Sequence, residues 1–288
     1  MSGVRTILCV LGIIVLCITL PVPVAADISS TTSGAGTSPD IATGSDVTRT
    51  YTYYLDGRSG SIPLTLPNEL YQDYLTKNIK LDIRDNASYF LAFTNDPAQE
   101  PYITLLASGI REETSDPDSQ ARIATNLVQH LTYQKGVKYR FPYEVLYEEN
   151  GVCGEKSMLL SALLKKLGFQ SAVLYFVPEN HMTAAIVCPA PYDYRNTGYC
   201  LIEATRPRII TDDASTFPSF GHLWSEPEVI PVSNGRTLGT ADADYYDARS
   251  WIAINARNAE AKDTGGSLST ADRERWYELN AKYDIVSA

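Results

Sequence analysis

The segment from Cys153 to Leu167 constrains the fold of this chain more than any other. Its apolar residues recur at helical spacing, and Gly168 follows where a left-handed residue commonly ends a helix. Directly after it, Phe169 to Val177 is an apolar run of strand length. Thr183 to Cys188 and Tyr199 to Thr205 follow as two further candidate strands. A helix packed on an antiparallel sheet is therefore the predicted core, and α+β the predicted fold class.

Residues 48–115 are predicted to be a β-rich region. Arg49 to Leu66 alternates aromatic and polar residues around a turn signal, which is typical of a hairpin. Ser88 to Phe93 is a further candidate strand. Asn86 begins an Asn-Ala-Ser pattern, which is a candidate N-glycosylation site in an exported chain.

Residues 116–232 form the predicted core region, and residues 233–288 a helical extension. The core region opens with a helix, because Asp116 can accept from free N–H groups of the first turn and Pro117 fits the first helical position. After residue 233 the sequence is more polar, and helical patterns lie near 245–261 and 270–283.

The first 26 residues have the pattern of an export signal. Arg5 is their only charge, an apolar run from Ile7 to Leu20 follows, and small residues close the segment. The alternative is an uncleaved membrane tether through residues 7–26, although two prolines shorten that helix. Residues 27–47 are rich in Ser, Thr and Gly and are predicted to be a linker. We therefore expect a secreted or extracellular domain.

The charge balance excludes some classes of partner. The 288 residues carry 24 Lys and Arg against 34 Asp and Glu, which gives a formal charge of −10. Nucleic acids attract clusters of Lys and Arg, so we expect no nucleic-acid partner. The sequence has no nucleotide-binding motif and no closely paired metal ligands, so no cofactor and no metal are expected.

The chemistry is expected at Cys153, which lies at the first turn of the predicted helix beside Gly154. Free amide N–H groups there stabilise a thiolate and can hold an oxyanion, and glycine lets a substrate backbone approach closely. His181 follows at the mouth of one strand, and Glu203 on the next. If these two strands pair, the order Cys-His-carboxylate matches the logic of a catalytic triad.

Three stretches of the chain resemble the transglutaminase-like cysteine superfamily, and its secreted archaeal members in particular: Gly151–Phe169, Asn180–Val187 and Tyr199–Thr205. The shared pattern is a cysteine between glycines before a Leu-rich helix, a histidine followed by Met, and an acidic residue before a small residue and Thr. The resemblance implies a papain/transglutaminase-like core with Cys153 as nucleophile, His181 as base and Glu203 as orienting acid. Glu203 stands where the family usually has Asp.

Several residues in or near this pattern have a purely structural interpretation as well as a functional one. A lone cysteine is more often a small buried apolar residue than a nucleophile. Zinc bound by the three triad residues is a further alternative. His130 is expected to be a surface or packing residue, and His222 is a rival base. Tyr143 and Tyr147 precede the nucleophile and are candidates for lining the cleft or for contacting an oxyanion, with core packing as the alternative.

Three of the five cysteines lie after the N-terminal segment. Cys188 closes one predicted strand and Cys200 begins the next, so they could face each other and form a disulfide that bridges the loop. In an oxidising environment this pairing would leave Cys153 as the free thiol.

The leading functional hypothesis is an extracytoplasmic cysteine peptidase or amide hydrolase that acts on a protein or peptide through an acyl-enzyme. Transglutamination, in which an amine replaces water and proteins are crosslinked, uses the same intermediate. The alternative from another class is an inactive surface or binding module that retains the fold. The sequence does not indicate an oligomeric state.

Overall fold

The computed structural model describes residues 45–77, 79, 85–214 and 216–285. The predicted export segment (1–26) and nearly all of the predicted linker (27–47) lie outside the described residues. Within the described ranges, no helix combines the length and the apolarity needed to cross a bilayer. The strands are β1 (Val47–Leu55), β2 (Arg58–Leu66), β3 (Thr132–Tyr133), β4 (Asn150–Gly151), β5 (Ser171–Phe176), β6 (His181–Val187), β7 (Tyr199–Ile202) and β8 (Glu228–Pro231). The helices are α1 (Asn68–Thr76), α2 (Asn86–Thr94), α3 (Glu100–Glu113), α4 (Pro117–His130), α5 (Pro142–Glu148), α6 (Cys153–Lys166), α7 (Ala241–Asp263) and α8 (Thr270–Tyr283).

β1 and β2 form the hairpin that the alternating pattern predicts. They pair antiparallel, from Val47 opposite Leu66 to Leu55 opposite Arg58. The turn passes through Asp56 and Gly57, which both adopt positive φ. This conformation matches the right-handed twist of paired strands and explains the Asp-Gly signal.

The region after the hairpin is helical, so the expectation of a β-rich region over 48–115 is wrong beyond Leu66. The segment Ser88 to Phe93, predicted as a strand, lies within α2. Asp85 accepts a hydrogen bond from the Ser88 N–H and so caps this helix. From Tyr89 onward the segment is apolar without interruption, and such a run does not distinguish a strand from a helix by its period.

The central sheet has the strand order β7-β6-β5-β8, and every neighbouring pair is antiparallel. α6 packs on one face of this sheet, against β5 and β6. Both faces are covered by apolar clusters, with Val173 on the helix side and Leu174 on the other. Burial on both faces explains why β5 is apolar without alternation. The fold is therefore α+β, with a helix on a small antiparallel sheet.

α6 is the central helix of the core. It begins at Cys153, as predicted, and ends at Lys166, with Gly168 at a φ of 89° just beyond. Every residue from Gly154 to Leu164 is buried, and α2, α3, α4 and α5 surround the faces that the sheet leaves free. A helix that is covered on all sides holds its N-terminus in a fixed place.

The C-terminal region is a pair of packed helices, as the pattern near 245–261 and 270–283 predicts. The indole rings of Trp251 on α7 and Trp276 on α8 stack with centroids 5.6 Å apart. Arg122 on α4 contacts both carboxylate oxygens of the fully buried Asp244 on α7, at 3.0 and 3.1 Å. This ion pair attaches the helical extension to the core.

Candidate active site

Cys153 is the first residue of α6. Val152 before it is extended, and no described side chain caps the helix by accepting from its first turn. Glu155 instead accepts from the Val152 N–H at 2.9 Å, and Arg140 holds the same carboxylate through its backbone N–H and its guanidinium at 2.8 to 3.1 Å. The acidic residue two positions after Cys153 is therefore neutralised by a buried arginine. The helix dipole remains available to an anion at Cys153.

His181 and Glu203 meet at one end of the sheet. β6 begins at His181, and Glu203 follows directly after the end of β7. The antiparallel register places Ala184 opposite Ile202, which brings the start of β6 beside the residue after β7. His181 Nε2 and Glu203 Oε2 are 3.0 Å apart, and both side chains are buried. Since Nε2 is engaged, Nδ1 is the ring nitrogen that remains for the thiol.

The second carboxylate oxygen of Glu203 is also bound. Oε1 accepts from the Thr205 N–H at 2.8 Å and from the Thr205 hydroxyl at 2.5 Å. The carboxylate is therefore held at both ends, by the imidazole on one side and by its own following turn on the other. The extra methylene of Glu relative to Asp is accommodated because Thr205 fixes the position of the head group.

The electrostatics of this pair favour a charged imidazole. Burial by itself lowers the pKa of His181, but hydrogen bonds with Cys153 and Glu203 and the negative charges of both raise it to about 9. Burial would raise the pKa of Glu203, and hydrogen bonds from His181 and Thr205 lower it below its ordinary value. An imidazolium that persists at neutral pH suits a thiolate as its partner.

A buried lysine, Lys156, is hydrogen-bonded to the backbone close to Glu203. Lys156 Nζ donates to the carbonyl oxygens of Gln129 at 3.1 Å, Leu131 at 2.7 Å and Thr205 at 3.3 Å. Burial lowers the pKa of Lys156 to about 8, and the charge of Glu203 acts in the opposite direction. The Gln129 amide donates in turn to the Glu203 carbonyl at 2.8 Å. Gln129 on α4 and Lys156 on α6 therefore both bind the backbone of the segment that carries Glu203.

Cys153 lies between two cavities. One has a volume of about 510 Å³ and the other about 650 Å³. Cys153, Tyr133 and Asn180 line both of them. The first cavity is walled by aromatic and Met side chains, and the second holds His181 beneath Phe217 and Phe220. A group bound in either cavity therefore reaches the thiol from its own side.

Tyr143 and Tyr147 pack in the core and do not line either cavity, so of their two interpretations packing holds and the cleft interpretation does not. Tyr143 is fully buried, and its hydroxyl donates to the Pro67 carbonyl at 2.7 Å. Tyr147 stacks on Tyr71 with centroids 3.9 Å apart. Both lie on α5, which packs against α6, α1 and β1, and neither tyrosine lines either cavity.

Tyr133 and Tyr139 line the cleft in their place. The hydroxyl of Tyr133 contacts the backbone and the thiol of Cys153, and its pKa is raised by burial and by the charge of Cys153. β3 carries Tyr133 and pairs in parallel with β4, immediately before the nucleophile. Strands of two residues leave no pattern in the sequence, so no local signal distinguished these tyrosines from the others.

Gly154 lines the first cavity beside the nucleophile. A Cβ at this position would lie 1.8 Å from the Tyr139 hydroxyl oxygen and 2.7 Å from the Met182 sulfur. The glycine is required because these two side chains occupy the space that any larger residue would need.

The other predicted residues lie away from the cleft. Cys188 and Cys200 form a disulfide with Cα atoms 5.6 Å apart, and Cys153 is the free cysteine of the described chain. Asn86 is half-buried, and its amide donates to a Glu228 carboxylate oxygen at 2.9 Å. The remaining two histidines do not line either cavity: His130 bonds to the Asn126 carbonyl on its own helix, and His222 is exposed. Across the described ranges, no three His, Cys, Asp or Glu residues are grouped so as to hold a metal ion.

Comparison with known proteins adds little to this geometry. No protein-family model and no curated protein matches the chain. A solved structure from Cytophaga hutchinsonii, described as a putative cysteine protease, is similar with a TM-score of 0.30 and 18% sequence identity. The alignment covers 65% of this chain and 58% of the Cytophaga hutchinsonii chain. This chain therefore spans less than two thirds of the length of that neighbour.

Proposed function

We propose that this protein is a transglutaminase-like cysteine peptidase or amide hydrolase with Cys153 as nucleophile, His181 as base and Glu203 as orienting acid. The observation that carries the proposal is the buried hydrogen bond of 3.0 Å between His181 and Glu203 with Cys153 as the next partner of the imidazole. Cys153 at the start of α6, His181 at the start of β6 and Glu203 directly after β7 converge, and Cys153 lines both cavities. Such an arrangement is the geometric signature of an activated thiol.

The reaction follows from this arrangement. The Cys153 thiolate attacks a carbonyl carbon, and the protonated His181 then gives its proton to the leaving amine, which leaves an acyl-enzyme. The neutral imidazole next takes a proton from water, and the hydroxide formed releases the acyl group. Glu203 keeps the ring oriented and stabilises its charge throughout, because it holds Nε2 in both halves of the cycle.

A peptide or protein is the substrate class that we propose. Two cavities of about 510 and 650 Å³, both lined by Cys153, leave room for chain segments around a scissile amide. Transamidation stays open as a second outcome, since an amine that enters one cavity can attack an acyl group held in the other. Secretion is part of the proposal and accords with the Cys188–Cys200 disulfide.

An inactive binding module is the competing hypothesis, and the bonds of Glu203 favour activity. A substitution of Asp by Glu would disable a triad if the longer side chain misplaced the carboxylate. Here both carboxylate oxygens are engaged, one by His181 and one by Thr205. The acid is therefore held in a position that supports the base.

The experiment compares Cys153 alkylation by iodoacetamide in the wild type, His181→Ala, Glu203→Ala and the control His222→Ala, followed by peptide mass spectrometry. We expect Cys153 to react faster than glutathione at neutral pH. His181→Ala should slow it at least roughly tenfold, and His222→Ala should leave it unchanged. Peptide-library cleavage with and without a primary amine then separates hydrolysis from transamidation. A Cys153 that reacts like free glutathione, with no dependence on His181, overturns the proposal.

A further inference from the structure

Tyr139 is held rigidly beside the nucleophile. Its ring packs against Phe93 and Phe90, with centroids 5.3 and 5.9 Å away, and against Tyr89 at 6.3 Å. It lines the first cavity together with Cys153. An aromatic ring with neighbours on several sides cannot change rotamer freely, so its hydroxyl has a fixed position.

The single O–H donor of the Tyr139 hydroxyl is paired with a weak acceptor. Its one partner among the described residues is the Met182 sulfur at 3.5 Å, and a thioether is a weak acceptor. The hydroxyl oxygen also lies over the first turn of α6, 1.8 Å from the point that a Cβ on Gly154 would occupy. A half-buried hydroxyl next to a nucleophile is thus satisfied only by sulfur.

We infer that the Tyr139 hydroxyl donates a hydrogen bond to the oxyanion formed when Cys153 attacks a carbonyl, together with backbone N–H groups of the first turn of α6. The inference rests on the proposed function and adds a catalytic residue to it. A donor that is fixed before the reaction stabilises developing charge without reorganisation. Gly154 is what allows the hydroxyl to approach the helix so closely.

The electron balance of the step is simple. The thiolate forms a carbon–sulfur bond, and the electron pair of the carbonyl π bond moves to the oxygen, which accepts from the Tyr139 hydroxyl. Collapse restores the double bond and breaks the carbon–nitrogen bond, while the amine leaves with the proton of His181. Tyr139 keeps its own proton, since burial and the negative charges of Cys153 and Glu155 raise its pKa well above the ordinary value.

Tyr133 is less suited to this role. Its side chain is 58% exposed, and its hydroxyl is already engaged by the backbone and the thiol of Cys153. A solvated hydroxyl loses much of its electrostatic effect to water, whereas Tyr139 lies inside an aromatic cluster.

Two reagents that attack the same thiol separate oxyanion stabilisation from thiol reactivity. Acylation by p-nitrophenyl acetate passes through an oxyanion, and alkylation by iodoacetamide does not. The second-order rate constants of both reactions at Cys153 are measured for the wild type, Tyr139→Phe and Tyr143→Phe in the full chain. Tyr143→Phe is the matched control, because it removes a tyrosine hydroxyl from the same aromatic core but outside both cavities.

We expect Tyr139→Phe to slow acylation at least roughly tenfold while its alkylation rate and melting temperature stay close to the wild type. Tyr143→Phe should show the converse, a lower melting temperature with both rates unchanged, because it breaks the hydrogen bond to Pro67. Acylation of Tyr139→Phe at the wild-type rate overturns the inference, as does an equal loss in both reactions. A wild-type Cys153 that alkylates no faster than glutathione overturns the proposed function itself, and this inference with it.

Discussion

Replacing Glu203 by Gln tests the electrostatics of the site directly. The amide keeps the size of the side chain but removes the negative charge that holds His181 in its protonated form. Hydrogen bonding and charge from Glu203 are two of the causes that raise the pKa of His181 to about 9, against an ordinary value of 6.5. Without them only the hydrogen bond and the charge of Cys153 oppose the burial of the ring, and we expect the pKa of His181 to fall from about 9 toward 6.5.

The same shift makes stability depend on pH. The folded-state pKa of His181 lies above its unfolded value, so its contribution is fully present below pH 6.5 and is lost as the pH rises through about 9. The difference between these values corresponds to roughly 3 kcal/mol, at about 1.4 kcal/mol for each pH unit. Lys156 acts in the opposite sense, because its lowered pKa makes stability rise with pH between about 8 and 10.5. A comparison of variants that both retain Lys156 isolates the histidine.

The assay is a proton NMR titration of the imidazole signals combined with urea unfolding at several pH values. The chain has three histidines, so His130→Ala and His222→Ala assign the signals. Glu144→Gln is the matched control, because Glu144 is a fully buried carboxylate that pairs with Lys138 and not with His181. The free-energy difference between wild type and Glu203→Gln should shrink by up to roughly 3 kcal/mol from pH 6 to pH 10.

Two results would refute the reasoning. One is a wild-type His181 that titrates at or below 6.5, which would mean that burial outweighs the partners. The other is a pKa of His181 that is the same in Glu203→Gln as in the Glu144→Gln control. Either would show that the contact of 3.0 Å carries no ionic character.

Further changes around the site have defined outcomes. Lys156→Met leaves three carbonyl oxygens without their donor and should lower the urea unfolding free energy by at least about 3 kcal/mol; an unchanged midpoint would contradict this. Gly154→Ala should slow acylation by p-nitrophenyl acetate at least roughly tenfold, because the methyl group displaces the Tyr139 hydroxyl, and a rate like the wild type would show that the site tolerates a Cβ. The double variant Cys188→Ala, Cys200→Ala should unfold with roughly 3 kcal/mol less free energy, given a sequence separation of 12, and equal thermal stability would argue against the disulfide.

The sequence predicted the middle of the molecule well because its signals there agree. The helix from Cys153 has an uninterrupted apolar pattern and a glycine stop, and the strands beside it are short apolar runs between turns. Antiparallel pairing then follows, and with it the approach of His181 and Glu203. Each inference needed only local pattern and one pairing rule.

The parts that were missed depend on contacts between distant segments. Ser88 to Phe93 has no period, so its helical state is set by the Asp85 cap and by packing on α6. Tyr133 lies beside Cys153 because β3 pairs with β4, the residues just before Cys153. With 19 tyrosines in the chain, no local pattern distinguishes those that line the cleft from Tyr143, which packs in the core.

The start of α6 carries one member of the proposed triad and is hydrogen-bonded to the segments that carry the other two. Cys153 is its first residue, and one turn later Lys156 bonds to the Thr205 carbonyl, in the turn that holds the acid. The next residue, Ser157, donates to the Met182 carbonyl at 3.1 Å, directly after the base on β6. The start of α6 therefore helps to position Cys153, His181 and Glu203, in addition to the contacts that these residues make with each other. Ser157→Ala removes a buried donor and leaves the Met182 carbonyl unsatisfied, so we expect it to displace His181 and to slow Cys153 alkylation. The matched control is Ser161→Ala, which breaks the equivalent bond to the Ala172 carbonyl one turn further along the helix. This control should lower stability without changing the alkylation rate. Equal alkylation rates in the two variants would show that β6 holds His181 without help from the helix.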